Sequence, residues 1–406
     1  MASLTLPKIF IDLQIPLMYL TNALALAIGP RHQVLRLGIT LPLFSLLALQ
    51  SLYRDWSGGW GLHYALEVNV CTQMFIYFDW NILGSPDRER WRKIRYDAEE
   101  PAVNGNGHIK KKEDGVPQSF LQRAWWALRL LTGNRYVGWT QEVKNVPKEV
   151  SPEYPRLLFI LRKTLRVAFF HVLREFMYSY TAGSPYGAWS DIVHLKPIST
   201  LSTQPFWTRF WWSWVGIVLT YSAMEEANAA YGVLSVATGL ANPRDCPSAF
   251  GDLRNLMSLR KAWSTVWHQH CRRICSAPGI FIARDVLRLR RGSFASKYFQ
   301  LFIGFGISAI VHGCASMFVH RSLEDDGAFA CFIGQAAIIM VEDHVIDFGK
   351  RLGFKDSIFW RLVGFAWTVF AIGASFTGWT SCVVDHGMWF HDRTRDIFGV
   401  GPQIVA

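Results

Sequence analysis

Residues 299–319 read FQLFIGFGISAIVHGCASMFV and contain no Asp, Glu, Lys or Arg. Residues 35–53, LRLGITLPLFSLLALQSLY, carry no charge after Arg36. About 20 residues at 1.5 Å each cross the hydrocarbon core of a bilayer, so uncharged runs of this length are expected to be transmembrane helices. Other apolar runs occupy roughly 6–28, 62–84, 205–223, 226–242, 327–348 and 358–384. The expected fold is therefore all-α and polytopic, with about eight spans. The run at 226–242 is rich in Ala and Gly and suits close helix packing more than lipid contact. Only 18% of the residues are charged, against about 25% in soluble domains. The N-terminal run is longer than a cleavable leader and is interrupted by Asp12, so it is expected to be a retained first span.

Orientation follows from the distribution of Lys and Arg. Residues 243–298 hold eleven of them against Asp245, Asp252 and Asp285. The region 85–155, with RERWRKIR and KKK, is basic, as are the short links at 30–36 and 349–355. The link RSLEDDG at 321–327 is net acidic. Eight spans place every basic connection in the cytosol and both termini on the other side. The net charge of +11 is thus a topology signal and gives no support for nucleic-acid binding. Seven scattered cysteines form no paired framework, so structural disulfides are not expected.

Four regions follow: N-terminal transmembrane helices at 1–84, a cytosolic insertion with interfacial helices at 85–204, a core at 205–390 and a tail at 391–406. Within the insertion, NGNGHIKKKEDG at 104–115 reads as a surface loop. At 156–180, Arg162, Lys163, Arg166 and Arg174 alternate with apolar residues. A full crossing would be costly there, so a helix lying in the cytosolic interface is expected.

The stretch WHQHCRRIC at 267–275 invites a metal reading. On a helix, His268, Cys271 and Cys275 would share one face while His270 pointed away. Three ligands need a fourth, and no second cluster supplies it. No metal is expected there, and His270 and Cys271 read as polar residues of an arginine-rich helix. His312 is different, because it stands within the uncharged run 299–319, about 20 Å from its basic end at 1.5 Å per residue. A polar ionisable group at that depth is functional by default. The bland alternative is a neutral histidine bonded to a neighbouring helix. Glu342, Asp343 and Asp347 are expected to pair with nearby basic residues, and Glu225 and Glu226 to solvate the start of a span. HDRTRD at 391–396 has an HxxxxD spacing, but falls on the non-cytosolic side in this topology. No GxSxG elbow or P-loop is present.

The residues before His268 carry a resemblance. CPSAFGDLRNLMSLRKAWSTVWHQ places Pro247, Phe250, Gly251, Ser258, Leu259, Arg260, Trp263, Trp267 and His268 in the order of a segment found in membrane-bound O-acyltransferases of the wax synthase-like branch. Ala262, Ser264 and Thr265 depart from that pattern. The similarity is strongest over about 195–350, which makes 205–390 the expected acyltransferase core. The resemblance implies a helical fold enclosing a catalytic tunnel, and an enzyme of the kind that acetylates fungal secondary metabolites. Acetyl-CoA or another acyl-CoA would be the cosubstrate, with no permanently bound cofactor. The acceptor would be a hydrophobic alcohol, terpenoid or meroterpenoid, met in the endoplasmic reticulum membrane. His312 would serve as base and His268 would orient the thioester or donate to the oxyanion. Arg260, Trp263, Trp267, Gln269, Arg272 and Arg273 would hold the coenzyme, with arginine suited to its phosphates. A long-chain wax-ester synthase is the alternative within the family. A transporter and a membrane terpene cyclase are alternatives of other classes, although no inverted repeat is evident.

Overall fold

A chain that meets lipid must satisfy its backbone polar groups internally, and a helix does so within one segment. The computed structural model describes residues 13–53, 60–94, 96, 116–189 and 197–398. The loop expected at 104–115 and the start of the first expected span lie outside them. Ten helices position the site: α1 (Gln14–Ile28), α2 (Gln33–Leu49), α3 (Trp60–Tyr77), α4 (Phe120–Leu131), α5 (Arg156–Ala182), α6 (Phe206–Ala237), α7 (Arg272–Phe281), α8 (Phe294–His320), α9 (Ala328–Arg351) and α10 (Ile358–Asp385). Serines start two of the apolar ones. Ser293 accepts from the Ser296 N–H and Ser357 from that of Trp360, which satisfies donors that the helix leaves free.

Among the described residues, four helical segments are long and apolar enough to cross a membrane: Pro30–Leu52, Phe294–His320, Ala328–Arg351 and Ile358–Asp385. α1 is apolar but shorter. The expected break between spans at 205–223 and 226–242 does not exist. α6 runs 32 residues without interruption, about 48 Å at 1.5 Å per residue. Glu225 and Glu226 had suggested a solvated helix end. Instead Glu225 is fully buried, 3.0 Å from Arg166 of α5, while Glu226 takes His171 and Arg174. Basic residues of 156–180 also find partners within the protein. Lys163 is buried and pairs with Glu149 at 3.0 Å, so α5 packs along α6 with its charges cancelled by acids of neighbouring segments. A charge count along one segment cannot reveal a neighbour that neutralises it.

The connections gather at two ends. At one, Arg123 bonds the Leu26 carbonyl and Asp87, Arg36 bonds the Trp80 carbonyl and Lys93 meets Asp245. At the other, Arg321 bonds the Ser51 carbonyl, Asp385 accepts from the Leu201 N–H and His386 lies 3.0 Å from Asp326. A short parallel pair, β1 (Ala188–Trp189) with β2 (Phe390–His391), belongs to this second end. The described residues of the basic connections at 30–36, 85–155 and 243–298 fall at the first end and the acidic link at the second.

Candidate active site

The segment 246–275 is built from breaks in helical geometry. Glu342 of α9 accepts the N–H groups of Leu259 and Arg260 at 2.7 and 3.0 Å, anchoring a single turn. A π turn over Ala262–Val266 follows, closed by Trp267 N–H to the Ala262 carbonyl at 2.7 Å. Such turns recur at functional sites. Residues 267–271 are irregular and α7 begins only at Arg272. The helical-face reading of His268, Cys271 and Cys275 is therefore wrong. Gly251 N–H bonds the Val266 carbonyl at 2.8 Å. A Cβ at Gly251 would meet the Thr265 carbonyl oxygen at 2.1 Å, so only glycine permits this closure.

His268 sits among rings. The centroids of Phe250, Trp267 and His270 lie 5.9, 5.5 and 5.3 Å away. Its Nδ1 is buried and has no hydrogen-bond partner among the described residues, and the same holds for His270. Burial pushes His268 down to about 3, with the neighbouring His312 and Arg135 acting in the same direction. His268 is a neutral imidazole at physiological pH.

His312 stands in the middle of α8. Its Nδ1 lies 2.7 Å from the Tyr64 hydroxyl, and its ring stacks on Phe332 at 4.8 Å with Trp379 edge-on at 5.2 Å. Trp263 joins the two histidine environments. Its ring packs on Trp267, Phe305 and Phe332, and its indole N–H donates to Gln335 at 2.9 Å. His268 and His312 both remain half-buried within this aromatic shell.

The three expected cationic coenzyme ligands are not equivalent. Arg260 makes a two-pronged pair with Asp343 at 2.7 and 2.6 Å. Arg273 is held by Asp79 and Glu89; burial opposes its charge, but the two carboxylates raise it above the ordinary value. Arg272 bonds the Ser264 carbonyl and the Gln269 side chain at 2.8 and 2.7 Å, both neutral, and burial lowers it. Gln269 is committed as well, donating to the Trp263 and Trp267 carbonyls. Asp343 also takes Lys297 and Asp347 takes Arg351, as expected, whereas Glu342 serves backbone donors and the Trp367 indole. His391 packs on Tyr178 and bonds Thr181, and Asp396 bonds Ser179. The HxxxxD pair thus ties the C-terminal segment to α5.

Several supports went unseen in the sequence. Arg135 donates to the carbonyls of Pro247 and Ser248 at 2.9 and 2.7 Å, Glu149 accepts from the Ser248 N–H, and Glu225 accepts from the Phe250 N–H at 3.1 Å. Tyr64 was missed because nothing near it in sequence marks it. Its partner is 248 residues away.

The model of the membrane bound O-acyl transferase family matches residues 246–334, a stretch that includes both histidines. Acetyltransferase sirH of Leptosphaeria maculans is 48% identical over 406 residues, covering 100% of this chain and 99% of that protein. The chain belongs to the membrane-bound O-acyltransferase family. Acetyltransferase ple2 of Rhodocybe pseudopiperita is 30% identical over 275 residues, 68% of this chain and 70% of the relative. Acetyltransferase eriL of Hericium erinaceus is 31% identical over 253 residues, 62% and 64% of the two chains. No solved structure matches. As a member of this family the chain is an acyltransferase, with an acyl-CoA as cosubstrate and a separate acceptor. Tyr64, Arg135, Glu149 and Glu225 all fall outside the stretch matched to the O-acyltransferase model.

Proposed function

We propose that the enzyme transfers an acetyl group from acetyl-CoA to the hydroxyl of a hydrophobic small molecule, a terpenoid or meroterpenoid of secondary metabolism. The observation that carries this reading is the bond between His312 Nδ1 and the Tyr64 hydroxyl inside an aromatic shell. With Nδ1–H donating to Tyr64, Nε2 is left bare and can accept the proton of the acceptor hydroxyl. The alcohol oxygen then adds to the thioester carbonyl carbon. On collapse the C–S bond breaks, and His312 returns the proton to the departing sulfur. His268, neutral and with Nδ1 unengaged among the described residues, would steady the oxygen that becomes negative, with that nitrogen carrying its proton. Arg272 is the arginine we assign first to the coenzyme phosphates, since its contacts are neutral. Arg260 and Arg273 hold the scaffold through their carboxylates, with Trp263, Trp267 and Gln269 shaping the wall. Full-length similarity to a protein named acetyltransferase supports acetyl as the group moved.

We place the basic end of the molecule in the cytosol of the endoplasmic reticulum membrane, with α1, α2, α3, α5, α6, α8, α9 and α10 as the eight crossings around an acyl tunnel. The experiment is expression in a host lacking the activity, with terpenoid alcohols supplied and products read by mass spectrometry. Acetylated alcohol supports the proposal. Esters formed only from long-chain acyl-CoA would assign the chain to wax-ester synthesis instead. Arg254 is exposed, so Arg254→Cys should be labelled by impermeant reagent applied from the cytosol. Labelling only from the lumen would overturn the orientation and the route for acyl-CoA.

A further inference from the structure

The metal-binding question raised by residues 267–275 has a better answer at the opposite end of the molecule. We propose that His320, Asp326 and His386 form a binding site for a divalent transition-metal ion, zinc by ligand type, that staples the acidic link to the end of α10. The residues come from three places: the last position of α8, the link before α9 and the cap of α10. His320 Nε2 lies 2.6 Å from one oxygen of Asp326 and His386 Nδ1 lies 3.0 Å from the other. One ligand atom from each residue falls within 4.8 Å of the others, and the two rings are 4.1 Å apart. Zinc takes imidazole nitrogen and carboxylate oxygen at about 2.0–2.2 Å, so tetrahedral ligands stand roughly 3.3 Å from one another. Small side-chain adjustments close the remaining difference.

Charge favours the ion. The Asp326 side chain is only 3% exposed, and a buried carboxylate needs a positive partner. Among the described residues its ionic contacts are the two histidines, not lysine or arginine. The neighbouring Asp325 is already occupied, accepting from the N–H groups of Ala328 and Phe329. Two neutral imidazoles and one carboxylate are a zinc ligand set with a fourth position left for water. His386, half-exposed, gives the ion an approach from solvent. The site is tied to the chemistry only through packing: Trp60 lies 5.5 Å from His320 and stacks on Tyr64 at 4.9 Å. Its role is to hold Trp60 and Tyr64 in place, and it takes no part in acyl transfer.

Full-length protein in lipid nanodiscs, made without a polyhistidine tag, should be stripped with chelator and titrated with zinc chloride. Wild type is expected to retain about one zinc per chain and to melt at a higher temperature with the metal. Loss of an outer-shell partner alone weakens metal sites by about 10–100-fold, so His386→Gln, which removes a ligand from a half-exposed position, should weaken zinc binding by at least about 100-fold. Exposed His344 lies elsewhere, and His344→Ala should bind zinc like wild type. Absence of zinc retention in folded wild type, or equal affinity in His386→Gln, would overturn the proposal and leave a hydrogen-bonded histidine–aspartate–histidine bridge. Zinc content does not depend on acyl transfer, so this test stands apart from the assignment of the enzyme's substrates.

Discussion

The environments of His312 and His268 differ in what the protein does with a ring nitrogen. His312 stands on an unbroken helix, and its Nδ1 is engaged by Tyr64 at 2.7 Å. His268 stands on an irregular link between a π turn and α7, and its Nδ1 is buried without a partner among the described residues. A buried polar atom left unpaired costs about 1–3 kcal/mol. Proteins rarely carry that cost without a reason. In the proposed mechanism the first histidine is oriented in advance, as a base must be, and the second keeps one hydrogen-bonding position for a group that arrives with substrate.

The sharpest way to break this contrast is to remove the proposed base. His312→Ala should lower kcat by about 10²–10⁴-fold, with the protein still monodisperse and still binding acyl-CoA. Near wild-type turnover would exclude His312 as the base. His268 should respond by degree. His268→Asn keeps a hydrogen-bonding side chain that cannot act as a base near neutral pH, so it should retain measurable turnover, whereas His268→Ala should lose considerably more. Equal and complete loss in His268→Asn and His312→Ala would mean that the two roles are shared or exchanged.

The same pair separates on stability. Burial holds His268 down at about 3, below the ordinary value of about 6.5. The unfolded chain therefore binds a proton more readily than the folded one. The contribution of His268 to stability is full above pH 6.5 and falls as the pH drops through 6.5 towards 3. Asn does not titrate, so His268→Asn should flatten the acid side of the melting-temperature profile. An unchanged slope would show that His268 is not held neutral by the fold.

Legibility in the sequence followed the range of the interaction. The place of His312 within a long apolar helix could be read from an uncharged run, because that pattern needs no partner to be inferred. The order of Pro247, Phe250, Gly251, Ser258, Leu259 and Arg260 was legible as a motif, and its physical basis is local in part: Gly251 closes on Val266, fifteen positions away. What holds that motif was not legible. Arg135, Glu149 and Glu225 reach it from segments far along the chain, and a carboxylate in an apolar run looks like a helix end until its arginine is known. That reading split α6 in two. The cluster of His320, Asp326 and His386 shares the cause, since its last member is 60 residues from the one before it.

Tyr64 gives the smallest expected effect and the finest test of the contrast. Its hydroxyl can fix which nitrogen of His312 carries the proton, and its ring stacks on Trp60 at 4.9 Å. Tyr64→Phe removes the first property and keeps the second. A single hydrogen bond contributes about 0.5–1.5 kcal/mol net, so kcat should fall by up to about tenfold, while KM for acyl-CoA stays the same. Without the hydroxyl, the imidazole can place its proton on either nitrogen, and part of the enzyme holds His312 with Nε2 protonated and useless as a base. The charged imidazolium also loses an oxygen that would share its proton, so the acid limb of the pH–rate profile should move to lower pH. A purely structural tyrosine would lower the melting temperature or raise KM and leave that limb where it was. A variant with unchanged kcat and an unchanged acid limb would show that His312 is oriented by its aromatic neighbours Phe332 and Trp379 alone.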